Sequence, residues 1–167
     1  KRILLRVDYN VPIKNGIVED DTRLRATIPT INHLLEKNCK VILMSHLGRP
    51  KELLKKGKSM EEVKEELTLK PVAQDLSEIL GGDVVFAENS IGLDDVNTEL
   101  PEGDIILLEN IQFNKGETAN DEGFAKKLAS LADIYVNDGF GQSHREYASF
   151  CAITKFLPSC AGFLVEK

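Results

Sequence analysis

Five short apolar runs punctuate the chain: ILLRV at 3–7, VILM at 41–44, VVFA at 84–87, IILL at 105–108 and IYV at 134–136. Most are near-continuous rather than alternating. That pattern belongs to strands buried on both faces, as in a parallel sheet covered by helices. Stretches of helical period lie between them. Residues 22–37 carry Leu24, Ile28, Ile31, Leu34 and Leu35 near one stripe. Pro29 interrupts it, so a break or a new helix start is expected there. Ser59, with Glu62 three residues on, has the form of a capping box. A helix over 71–80 is expected to stop at Gly81 and Gly82, which suit a left-handed C-cap. Another over 121–131 places Phe124, Leu128 and Leu131 on one side. The Lys-rich stretch 51–58 reads as an exposed loop. Strand and helix alternate throughout, which predicts a three-layer α/β/α domain with a mainly parallel, Rossmann-like sheet and right-handed crossovers. No linker divides the chain, so one α/β domain is expected over 1–167.

Composition narrows the function. With 42% hydrophobic residues the chain is not intrinsically disordered, and no apolar run approaches the ~20 residues of a membrane span. A net charge of −6 argues against a nucleic-acid partner. Cys39, Cys151 and Cys160 are odd in number and widely spaced, with no CxxC pair. Zinc and a disulfide framework are poor readings. Thiols in a reducing compartment fit, which predicts a cytoplasmic protein. The first residue is Lys1, without a signal peptide or an initiator Met, so trimming at this end is expected.

In an open parallel sheet, ligands bind beyond the carboxyl ends of the strands. The first apolar run is followed by Asp8, Tyr9, Asn10, Val11 and Pro12, and the second by SHLGRP at 45–50. The fourth leads into ENIQF at 109–113, and the last into NDGFGQSHR at 137–145. The third is followed by Glu88, Asn89 and Ser90, a less specialised set. The arginines sharpen the pattern. There are six against fifteen lysines. Arg49 and Arg145 follow strands, Arg23 precedes a helix, and Arg6 lies within the first strand. Arg2 and Arg25 read as surface charges. Arginine is suited to holding a carboxylate or phosphate by its planar fork. A basic pocket in an acidic domain would concentrate a small anion. Blander readings exist: Asp8 and Asn10 as turn residues bonded to backbone amides, His46 as a cap on the next turn, Arg6 as a structural ion-pair partner, and His33 as a partly exposed helix residue.

Familiar nucleotide motifs are absent. Gly57, Lys58 and Ser59 resemble the end of a P-loop, but position 52 is Glu rather than Gly. Gly139, Phe140 and Gly141 begin like a dinucleotide fingerprint, but position 144 is His. Neither HExxH nor GxSxG occurs. The domain reads as an anion binder without a nucleotide site of its own.

The strand-end segments RVDYNVP at 6–12, SHLGRP at 45–50, LLEN at 107–110, VNDGFG at 136–141 with His144 and Arg145, and AGFL at 161–164 resemble phosphoglycerate kinase. The likeness runs in order along nearly the whole chain, to the N-terminal, substrate-binding half. It implies a basic patch for 3-phosphoglycerate or 1,3-bisphosphoglycerate. It also implies a missing C-terminal domain that holds Mg-ADP or Mg-ATP, with no cofactor or metal bound by this chain. By resemblance, Asp8 and Asn10 contact the glycerate hydroxyl and carboxylate region. Arg23 matches the catalytic arginine that stabilises the phosphoryl group in transit. His46, Arg49 and Arg145 match phosphate and carboxylate ligands. Gln112 stands where the family has Arg, so a fixed charge is lost. At 139, 142, 143 and 147 this chain has Gly, Gln, Ser and Tyr where the family usually has Ala, Thr, Ala and His, and Glu146 adjoins Arg145. The segment 50–69 is longer than the family leads one to expect. The resemblance implies reversible phosphate transfer between 1,3-bisphosphoglycerate and ADP by the whole enzyme, with this chain binding glycerate substrate but not catalysing alone. The alternatives are a non-catalytic binding module on the same fold with a weakened site, and, more weakly, a dinucleotide binder.

Overall fold

A computed structural model describes residues 1–139 and 145–166. Phe140, Gly141, Gln142, Ser143 and His144, all named above, lie outside the described residues. Six strands form one sheet: β1 (Arg2–Arg6), β4 (Lys40–Met44), β5 (Val85–Ala87), β6 (Ile105–Leu108), β7 (Ile134–Asn137) and β8 (Ser159–Ala161). Their order is β5-β6-β4-β1-β7-β8, and every pairing is parallel. All five apolar runs are strands, each within a residue or so of its expected bounds.

Near-continuous hydrophobicity has the cause expected, because alternate residues of each strand enter opposite cores. Leu4, Ile42, Met44, Ile106 and Leu108 face one cluster, with Val63, Phe124, Ala125 and Leu128 from the helices above. Ile3, Leu5, Val7, Val41, Leu43, Ile105 and Leu107 face the other, with Leu24, Ile31, Val72, Ala73 and Leu76. Each of the larger side chains, from Val to Phe, contributes about 1.5–3 kcal/mol by leaving water. Both faces are therefore covered, and the three layers follow.

The helices start and stop where local chemistry dictates. The 22–37 stretch divides into α1 (Thr22–Ala26) and α2 (Ile28–Glu36), with Pro29 in the first turn of the second. There its missing N–H costs nothing. In α4 (Met60–Leu67) the Ser59 hydroxyl accepts from the Glu62 N–H at 3.2 Å while Glu62 accepts from the Ser59 N–H at 3.3 Å. The helix α5 (Lys70–Leu80) ends on Gly81 at φ +69°, a left-handed cap. Asp121 caps α6 (Glu122–Ala129), its carboxylate accepting from the Phe124 N–H at 2.8 Å. That helix stops two residues short of the expected 131. A last helix, α7, spans Phe163–Glu166.

Three elements depart from the sequence reading. The Lys-rich 51–58 stretch is not simply loop, since Pro50–Lys55 form helix α3. Pro50 supplies the pre-set φ of a first helical residue, and Gly57 beyond the end takes φ +93°. A hairpin of β2 (Ile13–Lys14) and β3 (Ile17–Val18) turns at Asn15 and Gly16, with φ of +52° and +74°. That turn suits Asn-Gly. Edge strand β8 is short and exposed, so it has no apolar signature. Cys39, Cys151 and Cys160 are not joined in disulfides. No helix among the described residues is long and apolar enough to cross a membrane.

Candidate anion-binding site

β1 passes the chain to β4 on one side, and β7 passes it to β8 on the other. Connections that diverge in this way open a crevice at the carboxyl edge of the sheet. The segments after β1, β4 and β6 are tied together there. Ser45 accepts from the Tyr9 N–H at 2.8 Å through its hydroxyl, and from the Ile111 N–H at 3.1 Å through its carbonyl. Asn10 Oδ1 accepts from the Gly48 N–H at 2.9 Å. Asn110 donates its side-chain amide to the Leu47 carbonyl at 2.8 Å. Glu109, pushed above the usual carboxyl range by burial, accepts from Thr68, Leu69 and Asn110, tying this edge to the start of α5.

A cleft of about 440 Å³ opens over these loops, lined by Asn10, His46, Arg49, Lys51, Gln112 and Arg145 among others. Five of the seven candidate residues therefore share one site. Lys55, Thr118 and Tyr147 also line it. Arg49, Lys51, Lys55 and Arg145 bring four positive charges against the single carboxylate of Glu52. In a protein of net charge −6 that is a local reversal of sign, the electrostatic condition for attracting a small anion.

Asp8 and Arg23 stand beside this cleft rather than in its lining. Arg23 Nη1 donates to Asp8 Oδ1 at 3.1 Å and to the Asn10 carbonyl at 3.0 Å. Asp8 Oδ1 also accepts from the Asn10 N–H at 3.1 Å. The turn reading of Asp8 thus holds, and Arg23 is anchored on that turn. The charges of Arg23 and Arg145 both act on His46 and help hold its pKa down.

The charged residues differ in how firmly they are held. Arg49 is largely exposed, with its Nη1 3.3 Å from Glu52 Oε1 one turn along α3. A pair this open to solvent holds its arginine loosely. Arg145 is exposed, and Gln112 is half-buried, its backbone N–H donated to Asn110 Oδ1 at 3.1 Å. His46 is different. It is buried, and its pKa is lowered to about 4, first by burial and then by the Arg6 charge. It therefore lines the cleft as a neutral imidazole and not as a cation. Arg6 is structural, but through neutral partners rather than the expected ion pair: it ends β1, is fully buried, and donates to the Ser149 hydroxyl and the Val7 carbonyl. Arg25 is an exposed partner of Asp21 one helical turn away.

Sequence reasoning missed Lys51 and Lys55. A signal was present: with Pro50 taken as a first helical residue, the two lysines fall four apart on one helix face. Thr118 and Tyr147 carried no such signal.

The fold and site together define a parallel α/β domain with a positively charged cleft at the carboxyl edge of its sheet. The phosphoglycerate kinase family model matches residues 1–167, and the chain belongs to that family, corresponding to its N-terminal part. It is 51% identical to the phosphoglycerate kinase of Dictyoglomus turgidum over 170 residues, covering all of this chain and 40% of that protein. Against the enzyme of Finegoldia magna identity is again 51%, with 41% of that protein covered. The solved phosphoglycerate kinase of Coxiella burnetii superimposes with a TM-score of 0.79 at 38% identity, over 99% of this chain and 39% of that one. The chain thus spans about 40% of the length of the relatives it matches.

Proposed function

We propose that residues 1–167 form the substrate-binding unit of an enzyme that moves phosphate reversibly between 1,3-bisphosphoglycerate and ADP. The observation that supports this is the cleft beyond β1, β4, β6 and β7, in which Arg49, Lys51, Lys55 and Arg145 converge. Phosphoryl transfer needs positioning and charge neutralisation more than covalent chemistry. In this reading Asn10 and Asp8 meet the glycerate end, and Arg49, Arg145 and His46 hold phosphate and carboxylate oxygens. Arg23 keeps the donors that Asp8 and Asn10 do not occupy for the phosphoryl group in transit. Gln112 supplies a neutral donor. Mg-ADP or Mg-ATP is the second substrate, held by a separate C-terminal domain, and closing the two units excludes water. Alone, the chain binds glycerate substrate and does not turn it over. A cytoplasmic setting follows from this chemistry.

Calorimetry with 3-phosphoglycerate tests the reading. Arg49→Ala is expected to weaken binding about 10- to 100-fold, the value of a charge-assisted hydrogen bond. Equal heats for the two proteins would remove Arg49 from the site. Gln112 favours a second reading, a non-catalytic module whose pocket has weakened. Gln112→Arg separates the two: a clear gain in affinity marks an intact pocket, and no gain marks an abandoned one.

A further inference from the structure

Beneath the cleft lies a buried polar chain with a fixed direction at every link. Arg6 ends β1 and is fully buried. Its Nε donates to Ser149 Oγ at 2.9 Å, its Nη1 donates to the Val7 carbonyl, and its Nη2 lies 3.2 Å from His46 Nδ1. The guanidinium sits 4.5 Å over the Phe150 ring. The Ser149 hydroxyl in turn donates to the Glu117 carboxylate, whose other oxygen accepts the Ser149 N–H at 2.8 Å. The Glu117 carbonyl also accepts from the Ala148 N–H at 2.9 Å. Glu117 thereby holds both the far side of Arg6 and the turn that follows Arg145.

A guanidinium has only donors. Its contact with His46 Nδ1 therefore requires a lone pair on that nitrogen, and a neutral imidazole with its lone pair there carries the proton on Nε2. We propose that Glu117, Ser149 and Arg6 form a positioning chain that fixes His46 as the Nε2–H tautomer. The histidine then offers an N–H donor to an anion in the cleft it lines, where the opposite tautomer would present a lone pair to oxygen. Arg6 acts through His46 and is a positioning residue. Only the identity of the anion rests on the function proposed above; the tautomer does not.

The test is long-range proton–nitrogen NMR of the His46 ring in the 167-residue chain at neutral pH, paired with calorimetry of 3-phosphoglycerate. Comparison with His46→Gln assigns the ring signals. The wild-type ring is expected as one tautomer with Nδ1 unprotonated. Arg6→Met removes the donor. If that variant does not fold, Arg6→Met with Glu117→Gln removes both buried charges together. In either variant His46 is expected to populate both tautomers, with binding weakened about five- to tenfold, the worth of one neutral hydrogen bond. A wild-type ring protonated on Nδ1, or a folded variant that keeps the pure Nε2–H form, overturns the inference. Tautomer release without any 3-phosphoglycerate binding by the wild type supports the chain and removes the ligand. Binding with an unmoved tautomer does the reverse.

Discussion

Neutral His46 makes the stability of this chain depend on pH in a way that one substitution isolates. The histidine has a pKa of about 4 in the folded protein, set first by burial and then by the charge of Arg6, with Arg23 and Arg145 adding to it and Asp8 opposing. Unfolded, it returns to about 6.5. Because the folded value is the lower one, the unfolded chain binds the extra proton between the two. Stability from this group is fully present above about pH 6.5 and is lost as pH falls toward 4. Integrated from pH 7 to 4.5, the loss is about 2–3 kcal/mol. His46→Gln can still accept from Arg6 and donate to the cleft, but it does not titrate. Urea unfolding of both proteins across this range is the assay. Glu109 and Glu117, both raised by burial, push the other way but do so in both proteins. The wild type is expected to lose about 2–3 kcal/mol more than His46→Gln on acidification. Parallel profiles would show that His46 charges at its ordinary pKa, and that its burial does not exclude the proton.

Two local devices give further expectations. Gly48 sits at φ +61°, and a Cβ there would lie 2.7 Å from Leu67 Cδ2. Gly48→Ala is expected to destabilise by about 1–2 kcal/mol, read by thermal unfolding, and to weaken anion binding by displacing the amide that Asn10 holds. Ser59→Ala removes the capping box of α4 and is expected to cost about 1 kcal/mol in the same measurement, with anion binding unchanged.

The sheet was legible because burial on both faces leaves a mark that few other arrangements leave: in β1, β4 and β6 successive apolar residues serve different cores. The caps at Ser59 and Gly81 were legible because each answers a purely local need. Helix α3 was hidden by its composition. Its apolar stripe is only Pro50, Leu53 and Leu54, with the two leucines half-buried against the core, too short a set to stand out from the Lys-rich stretch around it. Edge strand β8 is exposed along its length and left no signal either. In the site, residues that follow strands were readable one by one. The two lysines were not, because their helix was not. The neutrality of His46 was also invisible, since it depends first on burial and then on Arg6, at the end of the neighbouring strand, lying 3.2 Å away.

Titration of the chain with 3-phosphoglycerate, followed by backbone amide shifts, decides whether the carboxyl-edge cleft is the binding site. Shifts are expected to concentrate at Asn10, His46, Gly48, Arg49, Lys51, Gln112 and Arg145, and to need about 10- to 100-fold more ligand in Arg49→Ala. Shifts confined to the separate cavity beside Asp94, Lys115 and Lys127, or none at millimolar ligand, would contradict it.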